Sequence, residues 1–388
     1  MPTTPPPSQV IISEGQAELG AGGRLLARKQ ALQDAIKNAS LGQQALLLGR
    51  TDIANNQVMF DLFTLRTAAA VNSTTLLDEW QEGPYLNVRA RVELSHLQQC
   101  PLLYRKRLVA TAFPLAHAEH VSAAETTDLS QGLSRELLNQ LTESGEFIGI
   151  NRTSISLYPS ANNAPEPPDY RLDQVNVIRQ MATDSHAQLV LSGIIRDLQI
   201  EPNLPVSGAD PWQQLKSVTR KFWRKRSLAI DIFVHDGLTG ALLAQFRYQD
   251  QISGDFWLPK QYPLGGPGIT THALGDALSA LIRRATQDIR AALRCYPFTA
   301  RIIRIEPPDR VFIDAGAQEG LQVGDQLVVY HDQSGDLYLN NQQEYIGPDP
   351  QPATVMTLTD VKPRYARGRL DAESYALNLK TGGWVKAW

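Results

Sequence analysis

The sequence predicts an α+β multidomain protein, and three observations carry that reading. The N-terminal part holds one amphipathic helix followed by alternating strands, the middle alternates strands with helices, and the last quarter is a series of short strands separated by glycines. At 388 residues the chain exceeds one ordinary core and suits two or three domains. We place them at 1–98 (one helix on a small antiparallel sheet), 99–296 (a middle α/β domain) and 297–388 (a small all-β barrel).

The first domain opens with an extended segment, Val10 to Leu19, then the glycines of 20–23, then a helical pattern from Arg24 to Ser40. Leu25, Leu32, Ala35, Ile36 and Ala39 fall on one face of that helix, with Arg28 and Lys29 interrupting the stripe. Apolar positions alternate in Gln57 to Thr67 and in Ser73 to Glu79. They alternate again at Leu86, Val88, Ala90, Val92 and Leu94, and Gly83-Pro84 marks a hairpin turn between the last two segments.

In the middle domain Leu108 to Leu115 suits a buried strand and Leu129 to Leu141 has helical spacing. Residues 158–169 are rich in Pro, Asn and Ser and read as a loop. A helix comes next near Leu172 to Ala182, then strands at Gln188 to Ile200, Ser227 to Val234 and Ala241 to Gln251, the last two joined at Asp236-Gly237. Thr270 to Arg294 reads as the closing helix. The third domain shows six short strands: 300–305, 310–314, 326–331, 353–358, 366–370 and 384–387. Gly316, Gly320 and Gly324 supply turns there, and Leu321, Val323 and Leu327 are expected to fill the interior of an SH3-like barrel.

Hydrophobic residues make up 43% of the chain and charged residues 20%, which is ordinary for a packed fold. A net charge of -3 gives no bulk electrostatic reason to bind nucleic acid. No stretch reaches the roughly 18 apolar residues that a membrane-spanning helix needs. The segment 1–8 is proline-rich and has neither the basic nor the apolar region of a secretory signal, which fits either a mature form whose signal has been removed or a cytoplasmic protein.

Catalytic patterns are missing: there is no GxSxG elbow, no phosphate-binding GxxxxGK[ST] loop and no HExxH pair. We therefore expect no enzyme, no cofactor and no catalytic residue. His117 and His120, with Glu119 between them, come nearest to a metal pair, but no third ligand lies nearby in sequence, so a solvated loop is the reading. Gly265, Gly266 and Gly268 surround Pro267, which has no N–H to offer a phosphate, and read as a flexible approach to the last helix. Arg220, Lys221, Arg224, Lys225 and Arg226 form the densest basic cluster. They suit an anionic partner surface on one reading and the protective charges of a strand edge on the other, with the edge favoured. Cys100 and Cys295 are either two buried thiols or one long-range disulfide. The disulfide is favoured because these residues open and close the middle domain, where a bridge would stabilise by about 5 kcal/mol in the chain-entropy model.

The pattern Ala27-Arg-x-x-Ala31-Leu-x-Asp34-Ala35, the segment Phe60-Asp-Leu-Phe-x-Leu-Arg66 and the segment Tyr85-Leu-Asn-Val-Arg-Ala-Arg-Val92 together resemble the N-terminal domain of the flagellar assembly protein FlgT family. The order of the two later domains is similar to that family too. Its middle domain is similar to the N-terminal domain of TolB, and its C-terminal domain is a small barrel, matching Gly320-Leu-x-x-Gly324-Asp325 here. The resemblance implies a periplasmic component of the H ring, which surrounds the L and P rings of the flagellar basal body. It also implies partners: the L- and P-ring proteins, and MotX and MotY of the T ring, which anchors stators. The N-terminal domain is the candidate for recruiting them. An alternative of another class is an envelope adaptor that binds peptidoglycan or lipid through the 220–226 cluster.

Overall fold

The computed structural model describes residues 9–47, 71–94, 104–121, 128–158, 161, 164–165, 177–200, 225–253, 264–266, 268–294, 296–330, 336–339, 344–348 and 352–387. It is an α+β protein with few helices, a mixed sheet in the middle and a six-stranded barrel at the end. The chain forms two compact units. One combines residues 1–105, 292–335 and 348–388, and the other combines 106–291 with 336–347.

In the first unit β1 (Gln9–Glu18), β2 (Val71–Glu82) and β3 (Tyr85–Leu94) form an antiparallel sheet in the order β1-β3-β2, and α1 (Arg24–Leu47) packs on it. Leu86, Val88, Ala90 and Val92 are fully buried, as strict alternation requires, and Gly83 turns the hairpin with a positive φ of 59°. The buried stripe of α1 differs from the expected one. Ala27, Ala31, Ala35 and Ala39, spaced by four, face the sheet, while Leu25, Leu32 and Ile36 are only partly buried. The cause is the closeness of β1. A Cβ at Gly15 would lie 2.2 Å from the Ala31 carbonyl oxygen and from the Ala35 nitrogen, so only small side chains fit between helix and strand. Arg28 breaks the apolar pattern because it pairs with Glu79 of β2, as Arg24 does. Asp34 accepts a hydrogen bond from the Gln16 backbone at 3.1 Å. The expected strand at 57–67 lies outside the described residues.

The second unit holds a five-stranded sheet of β4 (Lys106–Thr111), β5 (Phe147–Arg152), β6 (Leu189–Asp197), β7 (Lys225–Asp236) and β8 (Leu242–Ser253), in the order β5-β4-β6-β7-β8. β4 runs parallel to β5 on one side and to β6 on the other, while β7 and β8 are antiparallel. α2 (Leu133–Glu143), preceded by a single π turn at Asp128–Gly132, connects β4 to β5, α3 (Val177–Asp184) precedes β6, and α4 (Ala273–Leu293) comes after β8. The first seven residues of β6 are all buried, as a central strand covered on both faces demands. Ile178 and Ala182 of α3 pack into one cluster with Val109, Val190, Tyr158 and Phe233. α4 buries Leu278, Ile282, Ala285 and Ile289, meets α2 through Thr286 and Gln140, and holds Tyr248 of β8 through Asp288 at 2.8 Å. The sequence pattern does not announce β5: of its six residues only Phe147 is fully buried, as befits an edge strand. A short pair, β12 (Asp336–Leu339) with β13 (Glu344–Pro348), also belongs to this unit and has no strong signature.

The barrel closes in the order β10-β15-β14-β11-β16-β9, from β9 (Thr299–Glu306), β10 (Arg310–Ile313), β11 (Gln326–Tyr330), β14 (Pro352–Val361), β15 (Ala366–Leu370) and β16 (Trp384–Lys386). These are the six strands that the spacing predicts. Ile302, Val311, Leu327, Val329, Met356 and Val385 are among the residues of its core. Leu321 is buried as expected, but Val323 is 66% exposed, since it lies on a turn outside the barrel. Gly320 and Gly324 have φ of 92° and 96°, the left-handed region that glycine tolerates. Gly316 is needed for room instead, because a Cβ there would meet the Lys362 carbonyl at 2.0 Å. The buried Glu319 carboxylate accepts the Gly316 N–H at 2.6 Å and fixes this turn. Within the first unit, Asp371, just after β15, accepts the Leu25 N–H at 2.9 Å and so caps α1 from the far end of the chain.

Candidate functional site

In the five-stranded sheet β4 is followed by β5 on one side, while β6 takes the other side, so the strand order switches direction at β4. A crevice opens at such a point beyond the carboxyl ends of the parallel strands. Here the chain leaving β4 continues beside β6: Leu115 bridges Ile195, Ala116 donates to the Ile195 carbonyl at 2.9 Å, and Ile195 donates to the Pro114 carbonyl at 3.0 Å. A 3-10 turn at Ala118–His120 comes next, and it rests against Asp197, the last residue of β6.

Four polar side chains converge at this end. His117 Nδ1 lies 3.0 Å from Glu119 Oε1, the His117 and His120 rings stack with centroids 4.8 Å apart, and His120 Nδ1 lies 3.2 Å from Asp197 Oδ1. His117 and Glu119 are exposed, whereas His120 is half-buried. Glu119 is held below the usual carboxylate range by its own backbone N–H and by His117.

Arg226 of β7 braces the floor. It is completely buried, and its Nε donates to the Leu198 carbonyl at 3.1 Å while a terminal nitrogen donates to the His120 carbonyl at 3.3 Å. A guanidinium is tolerated out of water when its N–H groups are engaged in this way. Farther along β7 the fully buried Asp231 receives Arg196 of β6 at 2.9 Å and Arg247 of β8 at 2.7 and 2.9 Å. Burial alone would push this carboxyl up, but hydrogen bonds from Arg247 and Arg196 hold it below its ordinary value. Arg196 also reaches the Ala161 and Ala164 carbonyls, at 3.0 and 3.3 Å, so the same ion cluster ties down the loop after β5. These groups act as structural clamps: Arg226 and Arg196 hold backbone carbonyls, and Asp231 ties Arg196 and Arg247 across three strands.

Residues 98–263 match the family model of the flagellar assembly protein T middle domain. This segment is similar to the middle domain of flagellar assembly protein T. That family supports a role in flagellar assembly and association with basal-body components. The hypothetical protein CT253 from Chlamydia trachomatis is similar in structure, at 15% identity, with 49% of this chain and 98% of that chain covered and a TM-score of 0.31. A PelC dodecamer subunit from Paraburkholderia phytofirmans is similar at 10% identity, covering 50% of this chain and 91% of that one, with a TM-score of 0.25. Lipoprotein GNA1162 from Neisseria meningitidis is similar at 7% identity, covering 48% and 99%, with a TM-score of 0.26. No curated protein matches the chain.

Within this flagellar assembly protein T domain the expected basic cluster needs correction. Arg226 is buried and points at backbone carbonyls, so it contributes no surface charge, and β7 is an interior strand between β6 and β8 rather than an edge. Lys225 is exposed, while Arg220, Lys221 and Arg224 lie outside the described residues, as do Cys100 and Cys295. His117, Glu119 and His120 do come together, and Asp197, far along the chain, joins them. Sequence distance hides that fourth residue: its only signal is its place at the end of an apolar strand next in the sheet to β4. Among the described residues no helix is long and apolar enough to cross a membrane.

Proposed function

We propose that the protein is a structural component of the flagellar basal body, acting in the H ring around the L and P rings and recruiting the T-ring proteins MotX and MotY. The match of residues 98–263 to the flagellar assembly protein T middle domain carries this reading. A non-enzymatic role agrees with that family and with the way Arg226, Asp231, Arg196 and Arg247 are used, as braces between strands and loops. In this reading the protein works in the periplasm, and three domains, at 1–98, 99–296 and 297–388, divide the task. The first contacts ring partners, and the middle domain and barrel hold it in place. The test is protein analysis of basal bodies purified from a deletion strain with and without a signal-bearing copy of the gene. MotX and MotY should be lost from the deletion sample and return with the copy. Their retention without the protein would contradict the recruiting role.

A further inference from the structure

The cluster beyond β4 and β6 has the chemistry of a metal site, which a role in ring assembly does not require. His117, Glu119 and His120 each offer a ligand atom, and these atoms lie within 4.8 Å of one another. The 3-10 turn places positions 117 and 120, three apart, on one side, where their rings stack, and Glu119 joins them through its contact with His117. Two imidazoles and one carboxylate form the donor set found at three-ligand zinc sites, where a fourth position stays open to water. Nitrogen donors favour zinc and its first-row neighbours over magnesium and calcium, which prefer all-oxygen ligands.

A second observation comes from behind the cluster. His120 Nδ1 is buried and makes no well-formed hydrogen bond, yet the Asp197 carboxylate stands 3.2 Å from it. A carboxylate behind one ring nitrogen is the arrangement that turns the opposite nitrogen of a metal-binding histidine toward its ion. Asp197 is itself fixed by the Gln199 N–H at 2.8 Å. Arg226 fixes the backbone on both sides, through the carbonyls of His120 and Leu198. Its positive charge opposes a cation, but the carboxylates of Glu119 and Asp197 outnumber it.

We propose that His117, Glu119 and His120 bind one divalent transition-metal ion, Zn2+ being the best match, with Asp197 as the positioning residue behind His120. The site is independent of the flagellar reading, and its test is separate. Zn2+ is titrated calorimetrically into the full-length chain after treatment with a chelator, and Ca2+ and Mg2+ serve as competitors. One Zn2+ per chain should bind, unaffected by excess Ca2+ or Mg2+. H117A and E119A, both at exposed side chains that leave the fold intact, should each weaken binding at least tenfold. D197N should weaken it roughly 10- to 100-fold while leaving all three ligands in place. Absence of saturable Zn2+ binding overturns the proposal, as does binding that H117A and E119A leave unchanged or that Ca2+ displaces. Full Zn2+ affinity in D197N removes Asp197 from it.

Discussion

His235 sits on the interior strand β7, 2% exposed, and burial pushes its pKa down to about 4 despite a hydrogen bond to the Pro165 backbone. The folded state therefore keeps this ring neutral, while the unfolded chain protonates it near the ordinary value of about 6.5. Between those two values the unfolded state binds the extra proton, so stability falls as pH drops from about 6.5 to about 4 and is insensitive to this residue above that window. The full loss is on the order of 3 kcal/mol, and urea titrations at several pH values should show it shrinking in His235→Leu. An unchanged acid limb in that variant would remove His235 as its cause. Asp371 accepts a hydrogen bond from the first turn of α1. Replacing it with alanine should cost about 1 kcal/mol in the same assay, in line with the loss of a helix cap; a neutral outcome would mean that water caps the helix equally well.

At the scale of elements, the seat of α1 on its sheet rests on small residues. Gly15→Ala would drive a methyl group into helix backbone at 2.2 Å and should destabilise by about 2 kcal/mol, whereas Gly20→Ala, with nothing within 4 Å of the new methyl, serves as the control. Equal denaturation midpoints for the two variants would refute the close approach. This contact also explains what the sequence conceals. Period-two alternation identifies the buried face of β3, and all six barrel strands are legible because turns and apolar pairs punctuate them. Helical periodicity marks an apolar sector of α1 but weighs leucine above alanine, so it cannot tell that β1 comes close enough at Gly15 to favour the small side chains of Ala31 and Ala35. β5 escapes notice because an edge strand buries few residues. Arg226 is misread for a related reason: an arginine looks like surface charge until the two carbonyls that receive it are brought together by folding. Likewise the pair His117 and His120 is visible in the sequence, whereas Asp197 becomes their neighbour only through the pairing of β4 with β6.

On the scale of the molecule, two compact units arise from a chain that returns on itself. The N-terminal sheet and the C-terminal barrel share one unit, held in part by Asp371 on the α1 terminus and by the hydrogen bond from Thr354 Oγ1 to the Gly22 carbonyl at 2.8 Å. Around the five-stranded sheet of the other unit, the buried charges brace loops, which suits a protein whose work is to present fixed surfaces to partners. In the proposed role those surfaces build a ring of the flagellar basal body. Electron microscopy of purified basal bodies tests it most directly, comparing a strain deleted for this gene with the same strain carrying a signal-bearing copy. The outer ring density around the L and P rings should disappear on deletion and return with the copy. Unchanged ring density in the deletion strain would contradict it.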